Sequence, residues 1–256
     1  MKHPKLIVGN WKMNPETVEE AKKIFTSIRK AADEQKRVTT VICPPALYLT
    51  DLTRLAKRSK RVYVGAQDVS HERKGAFTGE ISPAMVGNVG VGYSIIGHSE
   101  RRALGETDEI VNRKLHALLE TNMKAILCVG EKTRDSEGAY LSFLKNQIKN
   151  SIARVEKRKL DRIIIAYEPV WAIGRKDFKA MDAHDIHETV IFIRKTLIEH
   201  YGSDMANFVP VLYGGSINLE NARDILYRGE VAGLLVGRSS LVTKEFGEIL
   251  RMANAA

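Results

Sequence analysis

Glu168 stands directly after an apolar, β-branched run in RIIIAYEPVW (162–171). With Trp171 and Ile173 nearby, water should be kept from this carboxylate and its proton affinity raised, which makes it a candidate general base. His98, in IIGHSERR, supplies an imidazole, and Glu100 follows two residues later. Lys12 follows Asn10 by two residues in GNWKMN. Its ammonium could hold a phosphate and a neighbouring carbonyl oxygen. Two small-residue turns, YGGSIN (213–218) and VGRSS (236–240), would let backbone amides approach an anion, with helix N-termini adding favourable charge. A base, an imidazole and a cation around a phosphate pocket suit removal of a carbon-bound proton next to a carbonyl. The imidazole and ammonium would then stabilise the enediolate oxygens. Each residue also has an ordinary reading. Strands end in surface charges, lysines snorkel, lone histidines pack and glycines make turns. Position must decide.

The elements that would position them are legible as alternating patterns. Strand-like runs occupy 5–10, 38–43, 62–67, 91–97, 124–130, 162–168, 208–215 and 231–237. Helical periodicity follows many of them, with Val18, Ala21, Phe25, Ile28 and Ala32 on one face of the first helix. Further helices are expected over 46–57, 107–121, 138–156, 218–227 and up to about 252. Another carries Ile186, Val190, Ile193 and Leu197. Eight such units in one uninterrupted chain predict an α/β fold, a (β/α)8 barrel of eight parallel strands with outer helices, as a single domain over 1–256. An open doubly wound sheet is the alternative, but no GxGxxG turn follows the first strand. In a barrel the carboxyl ends of the strands converge on one face. Asn10 with Lys12, Gln67, His98 with Glu100, Glu131, Glu168, Gly214-Gly215-Ser216 and Gly237 would all meet there.

Composition narrows the class. With 44% apolar residues the chain can bury a core, yet no run reaches the ~20 needed to span a bilayer. No membrane association and no secretory leader are expected. Cys43 and Cys128 are too few and too far apart for a disulfide scaffold or zinc site, which suits a reducing cytoplasmic setting. The net charge of +9 raises nucleic-acid binding, through KRSKR (57–61) and RVEKRK (154–159). No aromatic residue interleaves either run, so solvated helix ends are the expectation and nucleic acid is not an expected partner.

GNWKMN, GAQDVS…GAFTGEIS, IIGHSERR, AYEPVWAIG, YGGSIN and LLVGRSSL closely resemble the triosephosphate isomerase family, in its order and nearly end to end. The resemblance implies a TIM barrel that interconverts dihydroxyacetone phosphate and D-glyceraldehyde 3-phosphate in glycolysis and gluconeogenesis, with no metal or organic cofactor. It implies Glu168 as base and Lys12 as substrate-binding cation. His98 would be a neutral electrophile, this family being itself the usual illustration of such pKa tuning. Asn10 would bind substrate, and Glu100 would be the carboxylate beside the catalytic group. Gly174, Ser216, Gly237 and Arg238 would offer backbone amides to phosphate, while Ile173 and Leu235 clamp the base. EPVWAIG would begin a lid that excludes water. Residues 67–81 would reach into a partner in a homodimer, with Thr78 near the partner's site. The cysteines are expected to be structural.

Two departures stand out. After AIG the chain reads RKDFKAM, without the family's usual Thr-Gly tip, and Arg238 replaces a second glycine in the phosphate turn. The first leads to the expectation that the lid closes but grips phosphate less firmly, leaking methylglyoxal. It also supports a different reading, a barrel retained for binding after efficient closure is lost. The Arg238 side chain is expected to point to solvent.

Overall fold

A computed structural model describes residues 4–135, 137–172, 181–203 and 208–256. Eight strands form in chain order: β1 (Lys5–Asn10), β2 (Val38–Cys43), β3 (Val62–Ala66), β4 (Tyr93–Ile96), β5 (Lys124–Val129), β6 (Ile163–Tyr167), β7 (Val211–Tyr213) and β8 (Gly233–Val236). Each pairs parallel with the next, and β8 closes on β1. The (β/α)8 architecture is therefore as expected.

Closure gives every strand two buried faces, which is why the runs are almost continuously apolar. Alternate residues fill the interior, including Leu6, Val8, Val41, Ile95, Ile126 and Leu235. The other set packs under the helices, where Ile7, Ile42, Ile96 and Ile165 meet residues such as Phe25, Leu115 and Ile193. Burying one such side chain contributes about 1.5–3 kcal/mol.

Among the described residues the helices are α1 (Val18–Asp33), α2 (Leu49–Ala56), α3 (Pro83–Asn88), α4 (Ser99–Ala103), α5 (Asp108–Leu119), α6 (Ala139–Ser151), α7 (Ala183–Tyr201), α8 (Ala222–Arg228) and α9 (Thr243–Ala255). Side-chain caps set several starts. Thr17 accepts the Glu20 N–H, Thr107 the Ile110 N–H and Asp182 the Asp185 N–H. α3 and α4 have no counterpart among the expected helices, because neither is long enough to show a helical period. β7 is shorter than the expected 208–215. Pro210 has no N–H to give a ladder at one end, and the Gly214-Gly215 turn stops the strand at the other.

Candidate active site

The strand ends place Asn10, His98 and Glu168 together, all buried. Asn10 closes β1, and its side-chain oxygen accepts the Lys12 N–H at 3.0 Å. The chain turns tightly there, with Lys12 at φ +53°, a conformation uncommon for lysine. Gln67 holds that turn from the side. Its Nε2 donates to the Lys12 carbonyl at 2.8 Å and the Cys43 carbonyl at 2.9 Å. The Lys12 ammonium meets Glu100 Oε1 at 2.5 Å. Its Cε also lies 3.8 Å from the point where a side chain on Gly237 would begin. The cation thus borders both the imidazole side and the last phosphate turn.

His98 caps α4. Gly97, at φ +65°, turns the chain out of β4, and His98 Nδ1 accepts the Glu100 N–H at 3.2 Å. A nitrogen that accepts carries no proton, so in this arrangement the ring hydrogen lies on Nε2. That nitrogen is 3.1 Å from Glu168 Oε1. Glu168 Oε2 accepts the Ser99 N–H at 3.0 Å.

This pairing corrects the expected proton affinity of Glu168. Burial does push its pKa up. The His98 ring, the Ser99 amide and the Cys128 thiol nevertheless favour the carboxylate, and the net pKa lies below its ordinary value. The carboxylate is buried against donors, and not only against apolar groups. At His98 burial disfavours protonation, but the Glu168 charge, the hydrogen bond to it and the Glu100 charge together outweigh it and move the pKa up. Hydrogen-bond geometry resists full protonation. An imidazolium would set a second N–H against the Glu100 amide, donor facing donor. The neutral ring with its proton on Nε2 satisfies both neighbours.

Around this pair, Gly214 has a specific steric role. A Cβ there would come within 3.0 Å of Glu168 Cγ and 3.4 Å of Leu235 Cδ2. Leu235 and the base thus flank the same glycine, the neighbourhood in which the clamp is expected. Its expected partner Ile173, the phosphate-binding Gly174 and the altered tip through Ala180 lie outside the described residues.

Ser216 is exposed, and its carbonyl accepts the Asn221 side-chain amide at 2.9 Å. The expected helix at 218 begins only at Ala222, because an asparagine-rich turn intervenes. A helix terminus therefore does not directly follow this phosphate turn. Gly237 opens a single 3-10 turn, Arg238–Ser240, and its carbonyl accepts the Ser240 N–H and hydroxyl at 2.9 and 2.6 Å. Arg238 is exposed and has no ion pair among the described residues.

Not every strand-end carboxylate faces the opening. Glu131 is 1% exposed, and its Oε1 accepts the Tyr167 hydroxyl and Trp171 Nε1, both at 2.8 Å. It pins the chain leaving β6. Both cysteines are free and buried, and burial pushes both thiols well up. Asp182, His184 and Asp185 form the one metal-like grouping among the described residues. Asp182 already caps α7, and Asp185 faces Arg134 at 3.9 Å. The sequence reading did not foresee the Ser99 amide as a ligand of the base. Any residue type but proline would supply that amide.

Comparison with known proteins gives the chain's relatives. The family model described as triosephosphate isomerase matches residues 5–253. A triosephosphate isomerase of Dehalococcoides mccartyi is 40% identical over 250 residues, covering 97% of this chain and 96% of the relative. That of Fusobacterium nucleatum is 41% identical over 251 residues, covering 97% and 98%. The crystal structure of the Bartonella henselae triosephosphate isomerase aligns with a TM-score of 0.86 at 31% identity, covering 97% of this chain and 98% of that one. The chain belongs to the triosephosphate isomerase family.

Proposed function

We propose that Glu168, His98 and Lys12 carry out the family's reaction, the interconversion of dihydroxyacetone phosphate and D-glyceraldehyde 3-phosphate in glycolysis. The observation that carries this reading is the His98 Nε2–Glu168 Oε1 contact at 3.1 Å, with Nδ1 already occupied by the Glu100 amide. A substrate carbonyl entering the opening takes the Nε2 hydrogen bond and frees the Glu168 carboxylate. Glu168 then removes a proton from the carbon next to that carbonyl. The C–H electron pair forms the enediolate C=C bond, and the carbonyl pair moves onto oxygen, where His98 and Lys12 stabilise it. His98 gives its Nε2 proton to that oxyanion and recovers one from the neighbouring hydroxyl, which becomes the new carbonyl as the abstracted proton returns to the adjacent carbon; no atom is gained or lost. Asn10 positions Lys12 and the substrate, and Glu100 holds the ammonium and the imidazole. Ser216, Gly237 and Arg238 offer backbone amides to the phosphate, with Gly174. Two free, buried thiols fit a cytoplasmic setting.

The test is Glu168→Gln. The amide has nearly the same shape and can still accept one of the two hydrogen bonds, but it cannot take a proton. kcat/KM should fall by ~10²–10⁴-fold or more while circular dichroism is unchanged. Comparable kcat/KM in the two proteins would remove Glu168 from the mechanism.

The working unit is a homodimer. Residues 67–81 contain no helix or strand, and a groove of about 210 Å³ at their base is lined by Asp68, Ser70, Glu80, Ile81 and Arg101. Met13, Leu47, Phe77 and Met85 are exposed in nearby segments. Such a long irregular segment beside unpaired apolar groups suits docking into a second copy, with Thr78 approaching the partner's opening. Sedimentation equilibrium should give twice the chain mass. A fully active monomer at the same concentration would contradict it.

A further inference from the structure

The cations that give this chain its +9 charge are not spread evenly. At the catalytic end Lys12, Arg101, Arg102 and Lys114 all have carboxylate partners. The opposite end, where the strands begin, is different. Arg61 Nη1 donates to the Lys36 carbonyl at 2.6 Å, joining the segments before β2 and β3. Lys36, Arg37, Lys57, Arg58 and Lys60 are exposed there, without an ion pair among the described residues. Lys124, Arg154 and Lys157, before β5 and β6, are likewise exposed and unpaired among those residues. The acids of this rim dilute the field without cancelling it. Asp33 is bound by Ser59, Glu156 is shared by Arg158 and Lys159, and Glu34 and Asp161 are exposed. Helix dipoles account for a cation in a last turn, such as Lys57 after α2. They do not account for Lys36, Arg37 or Lys60, which lie beyond the helix ends.

Between the two cationic arcs the fold places an aromatic surface that neither basic run contains. Tyr63 is the register partner of Val41, on the inward side of β3, and so lies at the floor of the barrel. It is 43% exposed. Its ring meets Tyr93 edge-on at 5.8 Å, and Tyr93 is in register with Lys124 on β5. Next to it the β4 approach is Gly90-Val91-Gly92, with no bulky side chain to cover the ring. Two strand spacings separate β3 from β5, roughly 10 Å, within the reach of a short oligonucleotide.

We propose that this amino-terminal face of the barrel binds single-stranded nucleic acid, with the lysines and arginines neutralising phosphates and Tyr63 stacking on a base. The sequence reading set nucleic acid aside because no aromatic residue interleaves the basic runs. Folding places one between them. This surface is independent of the isomerase chemistry and lies at the other end of the barrel.

The test is fluorescence anisotropy of the whole protein with a labelled oligouridine of about 12 nucleotides. Saturable binding should weaken about tenfold or more between roughly 50 and 200 mM salt, as counterion release by a few phosphates requires. Lys57→Glu, Arg58→Glu and Lys60→Glu combined should abolish it. Isomerase activity should be unchanged, which also reports that this variant folds. Tyr63→Leu, which keeps apolar bulk on the floor, should weaken binding about fivefold or more with the salt slope retained. Three results would overturn the proposal: no saturable binding at the lower salt, full binding by the triple variant, or indifference to Tyr63→Leu. Retention on phosphatidylserine vesicles with no oligonucleotide binding would assign the face to anionic membranes instead.

Discussion

The charge state of Glu168 is set by burial against its neighbours' hydrogen bonds and charge. Burial favours the neutral acid, while His98 and the Ser99 amide favour the carboxylate and prevail. A folded pKa below the ordinary 4.5 means stability gained above that value and lost as pH falls through the lower one. The expected outcome is a Glu168 resonance, assigned by its absence from Glu168→Gln, that titrates below pH 4.5 in ¹³C NMR. His98→Asn removes the ring whose Nε2 faces the carboxylate but leaves the burial. In that variant the midpoint should move up. A midpoint that does not respond would mean that His98 is not what holds the carboxylate ionised. Glu168, His98 and Lys12 stand out as candidates in the sequence because the chemistry proposed for them resides in the side-chain type. The sense of the Glu168 shift could not be read there, because the groups that lower it are a ring, a backbone amide and a thiol brought in from other strand ends.

The strand-to-loop turns convert the barrel into a site, and the β1 turn shows how. Lys12 keeps a left-handed backbone because Asn10 holds its N–H and Gln67 holds its carbonyl. Gln67→Ala should therefore lower kcat/KM by about tenfold to a hundredfold, mostly through KM, since a small misplacement of a positioned cation is costly. Two lost hydrogen bonds should also cost about 1–3 kcal/mol in urea unfolding. Lower stability with unchanged KM would leave Gln67 a purely structural residue. The eight strands were legible because burial on both faces leaves an apolar run with few interruptions. Ile186, Val190, Ile193 and Leu197 were legible because α7 is long enough to repeat its period, and all four are buried. The short helices α3 and α4 offer too few turns for that signal. The start of α8 was displaced because Asn218 and Asn221 hydrogen-bond their own turn before the helix begins.

At the scale of the whole molecule, one buried charge network ties the protruding segment to the barrel. Lys114, 3% exposed on α5, bonds both oxygens of Asp68 at 2.8 and 2.6 Å and Glu106 at 2.5 Å. Arg101 on α4 completes the ring, 3.1 Å from Asp68 and 2.8 Å from Glu106. Asp68 and Arg101 also line the groove at the base of residues 67–81, so in the proposed homodimer the same network would brace the docking surface. Burial pushes the Asp68 pKa up, and Lys114 only partly offsets it. Burial pushes Glu106 the same way, but its bonds to Lys114 and Arg101 hold it below its ordinary value. Removing one member of a buried network leaves the others uncompensated, which typically costs about 3–5 kcal/mol. Lys114→Met retains much of the bulk and deletes the charge, so its loss should approach that range at neutral pH. Without the ammonium both carboxylates shift up, and their folded pKa values exceed the unfolded ones. The sign then follows from linkage. The folded variant binds more protons than the unfolded chain, so the penalty grows as pH rises and shrinks as pH falls through the ordinary carboxylate range. Urea unfolding of wild type and variant at neutral pH and at about pH 4 measures this directly. The variant should also dissociate at higher protein concentration than wild type at neutral pH. A stability loss of the same size at both pH values would show that Lys114 acts through packing, and that the charge network does not hold the docking groove.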